Sequence, residues 1–211
     1  MKYTAKTALK AALATAAACA PLCFANGAMA SEPRTHDGLY LSLDTGLGYL
    51  SSSASEGPVS VKYSGVSIPF EVLVGGTVGP VAIGGGFLWD QVLSPSATLD
   101  TPAGSGTIPS PSDVTLHLFA LHLFADFYPD PHGGFHVRPF VGYAGMTESC
   151  SGCTSNGPGG PIFGAGVGYD FWVANEWSIG VMGRFAYASL KTNDVTYSTI
   201  DPAILATFTF Q

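Results

Sequence analysis

Charge is what this sequence has least of. Its 211 residues include 8 Lys/Arg and 15 Asp/Glu, 11% of the chain, against about 25% for an ordinary soluble domain. That is too little to cover a water-facing exterior. Long apolar runs are missing as well, because 27 Gly and 15 Pro interrupt every apolar stretch. No segment after the N-terminus supplies the ~20 continuous apolar residues of a membrane helix, which excludes membrane helices but leaves membrane strands open. Basic residues are too few for a nucleic-acid partner. No repeat is present beyond a succession of hairpins.

What is there begins with a leader. Lys2, Lys6 and Lys10 precede an Ala/Leu-rich run that ends in "AMA", Ala28 to Ala30, the pattern of a secretory signal peptide with a small-residue cleavage site after Ala30. Cys19 and Cys23 lie inside it, without the aliphatic residue three positions upstream that a lipoprotein signal needs. The expected organisation is a signal peptide over 1–30, a short tail over 31–37 and one domain over 38–211. The mature chain keeps five Lys/Arg against fifteen Asp/Glu, a net charge of −10.

The rest alternates. Apolar and small or polar residues take turns near 39–50, 66–78, 81–93, 114–128, 135–146, 161–173, 177–188 and 198–210, the period-two signature of strands. Each run is longer than the usual ~5 to 6 residues and long enough to cross a bilayer at a tilt. The connections at 79–80, 129–134 and 174–176 are short, whereas 51–65, 94–113, 147–160 and 189–197 are long. That asymmetry suits an outer-membrane barrel with periplasmic turns and extracellular loops. The long connections, such as "SPSATLDTPAGSGTIPSPSD", are rich in Ser, Gly, Pro and Thr, a composition that predicts mobility.

The two faces of the strands differ in kind. Leu39, Leu41, Leu43, Leu47 and Tyr49 oppose Tyr40, Ser42, Asp44, Gly46 and Gly48; Phe163, Ala165, Val167, Tyr169 and Phe171 oppose Gly164, Gly166, Gly168 and Asp170. A face of glycine with a few charges fits a narrow lumen better than a solvated exterior, so the bulky face is expected outside. Its aromatics sort into two girdles. Phe127, Phe135, Phe171, Trp177 and Phe210 fall toward the short turns, and Tyr49, Trp89, Tyr143, Phe163 and Tyr187 toward the long loops.

The lumen face then collects Asp44, Glu71, Asp90, His122, Asp126, His136, Arg138, Asp170, Arg184 and Asp201. Buried charges need partners, so a plug of Asp126 and Asp170 around Arg138 is expected, with Arg184 and Asp201 or Asp90 as a second tier. A channel or proton path is the functional alternative. Leu73, Leu88, Leu116, Leu118 and Met182 form a candidate apolar pocket, or simply lumen filling. His117 is the one histidine facing lipid near Ser110, Ser112 or Glu148, and no spacing enforces their meeting. Cys150 and Cys153 have C-x-x-C spacing without a helical setting and supply only two of a zinc site's four ligands. A loop disulfide is the expectation in an oxidising compartment.

"HDGLYLSLDTGLGY", "DFYPDPHGGFHVRPFVGY" and "GAGVGYDFWVANEWSIGVMGRF" resemble the small eight-stranded outer-membrane β-barrel proteins of Gram-negative bacteria, the kind that includes the OmpA membrane domain and OmpX. The likeness covers essentially the whole mature chain and lies in pattern and topology. It implies an all-β, antiparallel, up-and-down transmembrane barrel in the bacterial outer membrane, inserted by the barrel assembly machinery. In that family the machinery reads a C-terminal strand ending in an aromatic; here Gln211 follows Phe210 and displaces the signal by one position. The function expected is structural or interactive: anchoring surface loops and supporting the envelope, without catalysis or cofactor. Its expected partners are outer-membrane lipids and lipopolysaccharide, and its expected state monomeric. The alternatives are binding or transport of a small hydrophobic ligand and, more remotely, lipid A modification.

Overall fold

A computed structural model of the chain describes residues 33–109, 114–149, 157–192 and 195–211. The expected signal peptide with Ala30, and Ser110, Ser112, Cys150 and Cys153, lie outside the described residues. The strands are β1 (Leu39–Glu56), β2 (Val59–Val78), β3 (Val81–Leu93), β4 (Ser96–Thr101), β5 (Gly104–Pro109), β6 (Thr115–Phe127), β7 (Phe135–Ser149), β8 (Gly159–Trp172), β9 (Trp177–Thr192) and β10 (Val195–Phe210). Eight of them, all but β4 and β5, pair antiparallel in sequence order, and β10 returns to β1 through Leu41↔Phe210 to Ala54↔Tyr197. The result is a closed, up-and-down eight-stranded barrel with no open edge in its wall.

The short connections fall where the sequence puts them. Gly79 and Pro80 join β2 to β3, with Gly79 at φ +60° as the tight turn requires. The opposite end departs from expectation. The stretch 51–65 is no loop: β1 and β2 stay paired up to Glu56↔Val59 and turn at Gly57 and Pro58. β9 and β10 likewise stay paired to Thr192↔Val195. Part of 94–113, expected to be mobile, is the β4–β5 hairpin, which adds to β2 through Ser60↔Asp100 to Ser64↔Ser96. The reason is that a ladder fixed in register by the barrel wall continues to satisfy backbone groups whether or not the side chains are apolar. "SSSASEGPVSVKYSG" has the Val, Tyr and Ser of a solvated hairpin, and low hydrophobicity alone concealed it.

The wall is apolar outside and polar inside. Leu47, Leu123 and Ile204 are 66 to 68% exposed on the outer surface, while the lumen side of the same strands is buried. On β10, Ile204 and Phe208 face out, and Ala203, Leu205, Thr207 and Thr209 face in. Glycine on the inner face makes room for neighbours. A Cβ at Gly168 would collide with the His136 ring, one at Gly86 with the Leu73 side chain and the His122 ring, and one at Gly46 with the backbone carbonyl of Ile204 on β10. Gly183, by contrast, has only one backbone oxygen near, at ordinary contact distance. Gly46→Ala is therefore expected to destabilise the barrel by about 1–3 kcal/mol and Gly183→Ala by far less, read as urea midpoints in lipid vesicles.

Candidate functional site: the charged lumen and its two ends

All ten ionisable residues of the predicted lumen set are buried, each delivered by the inward parity of its strand. They form two layers. In the layer nearer the short turns, Arg138 of β7 reaches across the barrel to β1 and sideways to its neighbour β6. Its Nη1 donates to Asp44 Oδ2 at 2.5 Å, its Nε to Asp126 Oδ2 at 2.9 Å and its Nη2 to the Tyr40 hydroxyl at 2.6 Å. Tyr40 donates in turn to Asp126 at 2.9 Å, and His136 Nδ1 lies 2.8 Å from the other Asp126 oxygen. Asp170, expected beside Arg138, instead accepts from Thr207 at 2.9 Å and Tyr128 at 3.3 Å. The place expected for it is taken by Asp44, which also accepts from Ser42 at 2.6 Å.

The next layer centres on Arg184 of β9. Its Nη2 donates to Asp201 at 2.5 Å and Asp90 at 2.9 Å, and its Nη1 lies 3.7 Å from Glu71. His122 Nε2 is 3.0 Å from Glu71, without hydrogen-bond alignment. Asp44 and Glu71 are direct cross-strand partners on β1 and β2, so the two layers adjoin. Toward the long hairpins, Leu50, Val92, Leu116, Leu118, Met146, Ile162 and Leu190 close over the charges as one apolar cluster. Of the candidate pocket residues, Leu73, Leu88, Leu116 and Leu118 join that cluster, while Met182 packs separately with Ala203 and Leu205.

At the short-turn end both ends of the described chain enter the lumen. The segment before β1 runs beneath the barrel: Arg34 N–H donates to Asn175 O at 2.7 Å, and His36 N–H to Pro131 O at 3.0 Å. The His36 ring stacks on Tyr128 at 3.6 Å and lies 4.7 Å from Trp172. Its Nδ1 is 2.6 Å from Gln211 Oε1 and its Nε2 is 2.9 Å from Gly133 O. The Gln211 side-chain amide donates to Tyr128 at 2.9 Å, and its backbone N–H donates to Glu176 O at 3.0 Å.

Among solved structures, the chain is similar to Neisserial surface protein A at 14% identity with a TM-score of 0.55, over 82% of this chain and 96% of that one. It is similar to the outer membrane protein OprG of Pseudomonas aeruginosa at 8% identity with a TM-score of 0.55, over 85% and 100%. No protein-family model matches the chain, and no curated protein matches it. The fold is that of a small outer-membrane β-barrel.

On such a barrel the aromatics have a natural place. Phe127, Phe135 and Phe171 are exposed on the outer wall toward the short turns, and at the same end Trp177 stacks on Phe208 and meets Phe210 edge-on. Tyr49, Trp89, Tyr143 and Phe163 are exposed toward the other end, where Phe163 contacts Tyr187. His117 is engaged by Trp89, whose Nε1 donates to its Nδ1 at 3.2 Å. Sequence reasoning missed Tyr40, Tyr128, His36 and Gln211 as members of the polar network. Tyr40, Tyr128 and Gln211 showed themselves only by inward parity, and nothing local marks His36.

His36 lies outside the barrel-spanning strands, and burial pulls its pKa below the ordinary 6.5, against smaller opposing effects of Gly133, Gln211 and the nearby Asp170 and Asp126. The folded state therefore favours the neutral ring, and the docked segment is at full strength above about pH 6.5 and weakens as the pH falls from there through the lowered value. Hydrogen exchange of residues 33–38, corrected for intrinsic rates, is expected to accelerate between pH 7.5 and 5 in the native protein. In His36→Ala it should be fast at both, with the pH dependence gone.

Proposed function

We propose that the chain is a structural and interaction barrel of the Gram-negative outer membrane, anchored by its apolar wall and presenting the long hairpins to the exterior. The observation that carries this reading is the pairing of charge inside the barrel. Two layers of ion pairs and an apolar cluster, built from side chains of all eight wall strands, occupy the interior and support a plugged lumen. An eight-stranded barrel has room for side chains and little more. The function then resides on the outside and the rim. There the turn at Gly57 and Pro58, the β4–β5 hairpin and the β9–β10 extension build a paired β-surface in place of slack loops. Such a surface presents side chains to a partner at low entropic cost.

Its surroundings follow from the same features. Outer-membrane lipids, with lipopolysaccharide in the outward leaflet, fit the apolar wall between the aromatic girdles, and the barrel assembly machinery would insert it. A wall with no open edge supports a monomer. A second reading rests on one observation, a recess of about 220 Å³ at the long-hairpin end lined by Tyr63, Leu116, Met146, Glu148 and Tyr197 among others, open to a small amphipathic ligand. Mass spectrometry of the detergent-purified barrel separates the two, since the structural reading expects no stoichiometric small molecule. In planar bilayers the protein is expected to give no steady conductance. A steady current abolished by Arg138→Ala would overturn the plugged-lumen reading.

A further inference from the structure

The two ionic layers differ in how completely their polar atoms are satisfied. Around Arg138, only His136 Nε2 lacks a hydrogen-bond partner. Around Arg184, the unpartnered atoms are Glu71 Oε2, Asp90 Oδ1, Asp201 Oδ1, Arg184 Nε and Nη1, and both ring nitrogens of His122. The side chains that carry them are at most 2% exposed. Both donors and acceptors are among them, so a ligand that serves them must both donate and accept.

Charge adds a second demand. Arg184 is the one cation facing three carboxylates: Glu71 from β2, Asp90 from β3 and Asp201 from β10. His122 from β6 can offset Glu71 if it is protonated, and Arg184 is then still left with both Asp90 and Asp201. Below, Asp44 of β1 adds another negative charge, and Arg138 of β7 is already shared between Asp44 and Asp126. β8 presents glycines at this level, Gly164 and Gly166, beside Ala186 and Arg184. At least one negative charge is therefore uncompensated among buried side chains, a condition that proteins relieve by binding a positive charge. Asp90 and Asp201 accept from the same Arg184 nitrogen, at 2.9 and 2.5 Å, which brings the two carboxyls together. A proton on one carboxyl oxygen turns an acceptor without a donor into a donor.

We propose that the Arg184 layer is a hydrated proton site: Asp90 and Asp201 together hold one exchangeable proton at neutral pH, and water serves the remaining unpartnered atoms. The proton comes from bulk water and converts one carboxylate to a carboxylic acid; no electrons move. The ligand is a proton and not a metal ion, because no group of three or more His, Cys, Asp or Glu among the described residues is arranged to hold one.

Infrared spectroscopy of the folded barrel at pH 7, with carboxyl-labelled aspartate to identify the residue type, tests this directly. The wild type is expected to show a carboxylic-acid carbonyl band that shifts on labelling and in heavy water. That band should be lost in Asp201→Asn and in Asp90→Asn, with each variant shown to be folded by heat-modifiable gel mobility. Replacing sodium and potassium with choline should leave it unchanged. Absence of an aspartic-acid band in the wild type, or its survival in both variants, would overturn the proposal. So would a band that appears only when sodium and potassium are removed, which would assign the site to a metal cation. If neither variant folds, the labelled wild-type spectrum decides alone.

Discussion

The contact on which the rest of the barrel depends is the Arg138 guanidinium held between Asp44 and Asp126. Two of its three hydrogen bonds, to Asp44 and Tyr40, tie β7 to β1 across the lumen, joining strands that sheet hydrogen bonds do not connect, and the third goes to Asp126 on the neighbouring β6. A charge of this kind is costly to bury and is retained only where carboxylates and hydroxyls surround it. Tyr40, His136, Ser42 and Tyr128 supply that surround, from β1, β7 and the end of β6. The lumen is in this sense the core of the molecule, with polar pairing where a water-soluble domain would have packed leucine. Toward the long-hairpin end the apolar side chains take over, where Leu50, Val92, Leu116 and Leu118 meet.

The inner glycines and the outer apolar face are consequences of the same arrangement. A large side chain such as His136 or His122 fits inside eight strands only if a neighbouring strand presents no Cβ, which Gly168 and Gly86 provide. With the polar groups turned inward, the outer face is left to Leu, Ile, Val and Phe, a surface that suits lipid and not water. The few charges of the sequence are used accordingly: six of the fifteen acids and two of the eight basic residues lie inside.

Much of this was legible before any coordinates. Strict alternation fixed the parity of each strand, and parity alone put Asp44, Glu71, Asp90, Asp126, Arg138, Arg184 and Asp201 in the lumen. Pairing within the lumen was less accessible, because it depends on shear and tilt that sequence does not encode locally; hence Asp44, and not Asp170, sits on Arg138. The rim hairpins were missed because solvated strands lack the apolar face that advertises a strand. His36 and Gln211 were missed for another reason. They lie 175 positions apart, one before the first strand and one after the last, and only closure of the barrel brings them together. The terminal Gln211, an anomaly beside the aromatic Phe210, is buried and bonded to His36, Tyr128 and Glu176.

A double-mutant cycle between Arg138 and Asp44, using Arg138→Met, Asp44→Asn and the pair, with reversible urea unfolding from lipid vesicles, measures the central contact itself. A coupling of about 2 kcal/mol or more is expected for a desolvated pair at this separation. Effects that add to within about 0.5 kcal/mol would mean that the guanidinium and the carboxylate do not hold the lumen together.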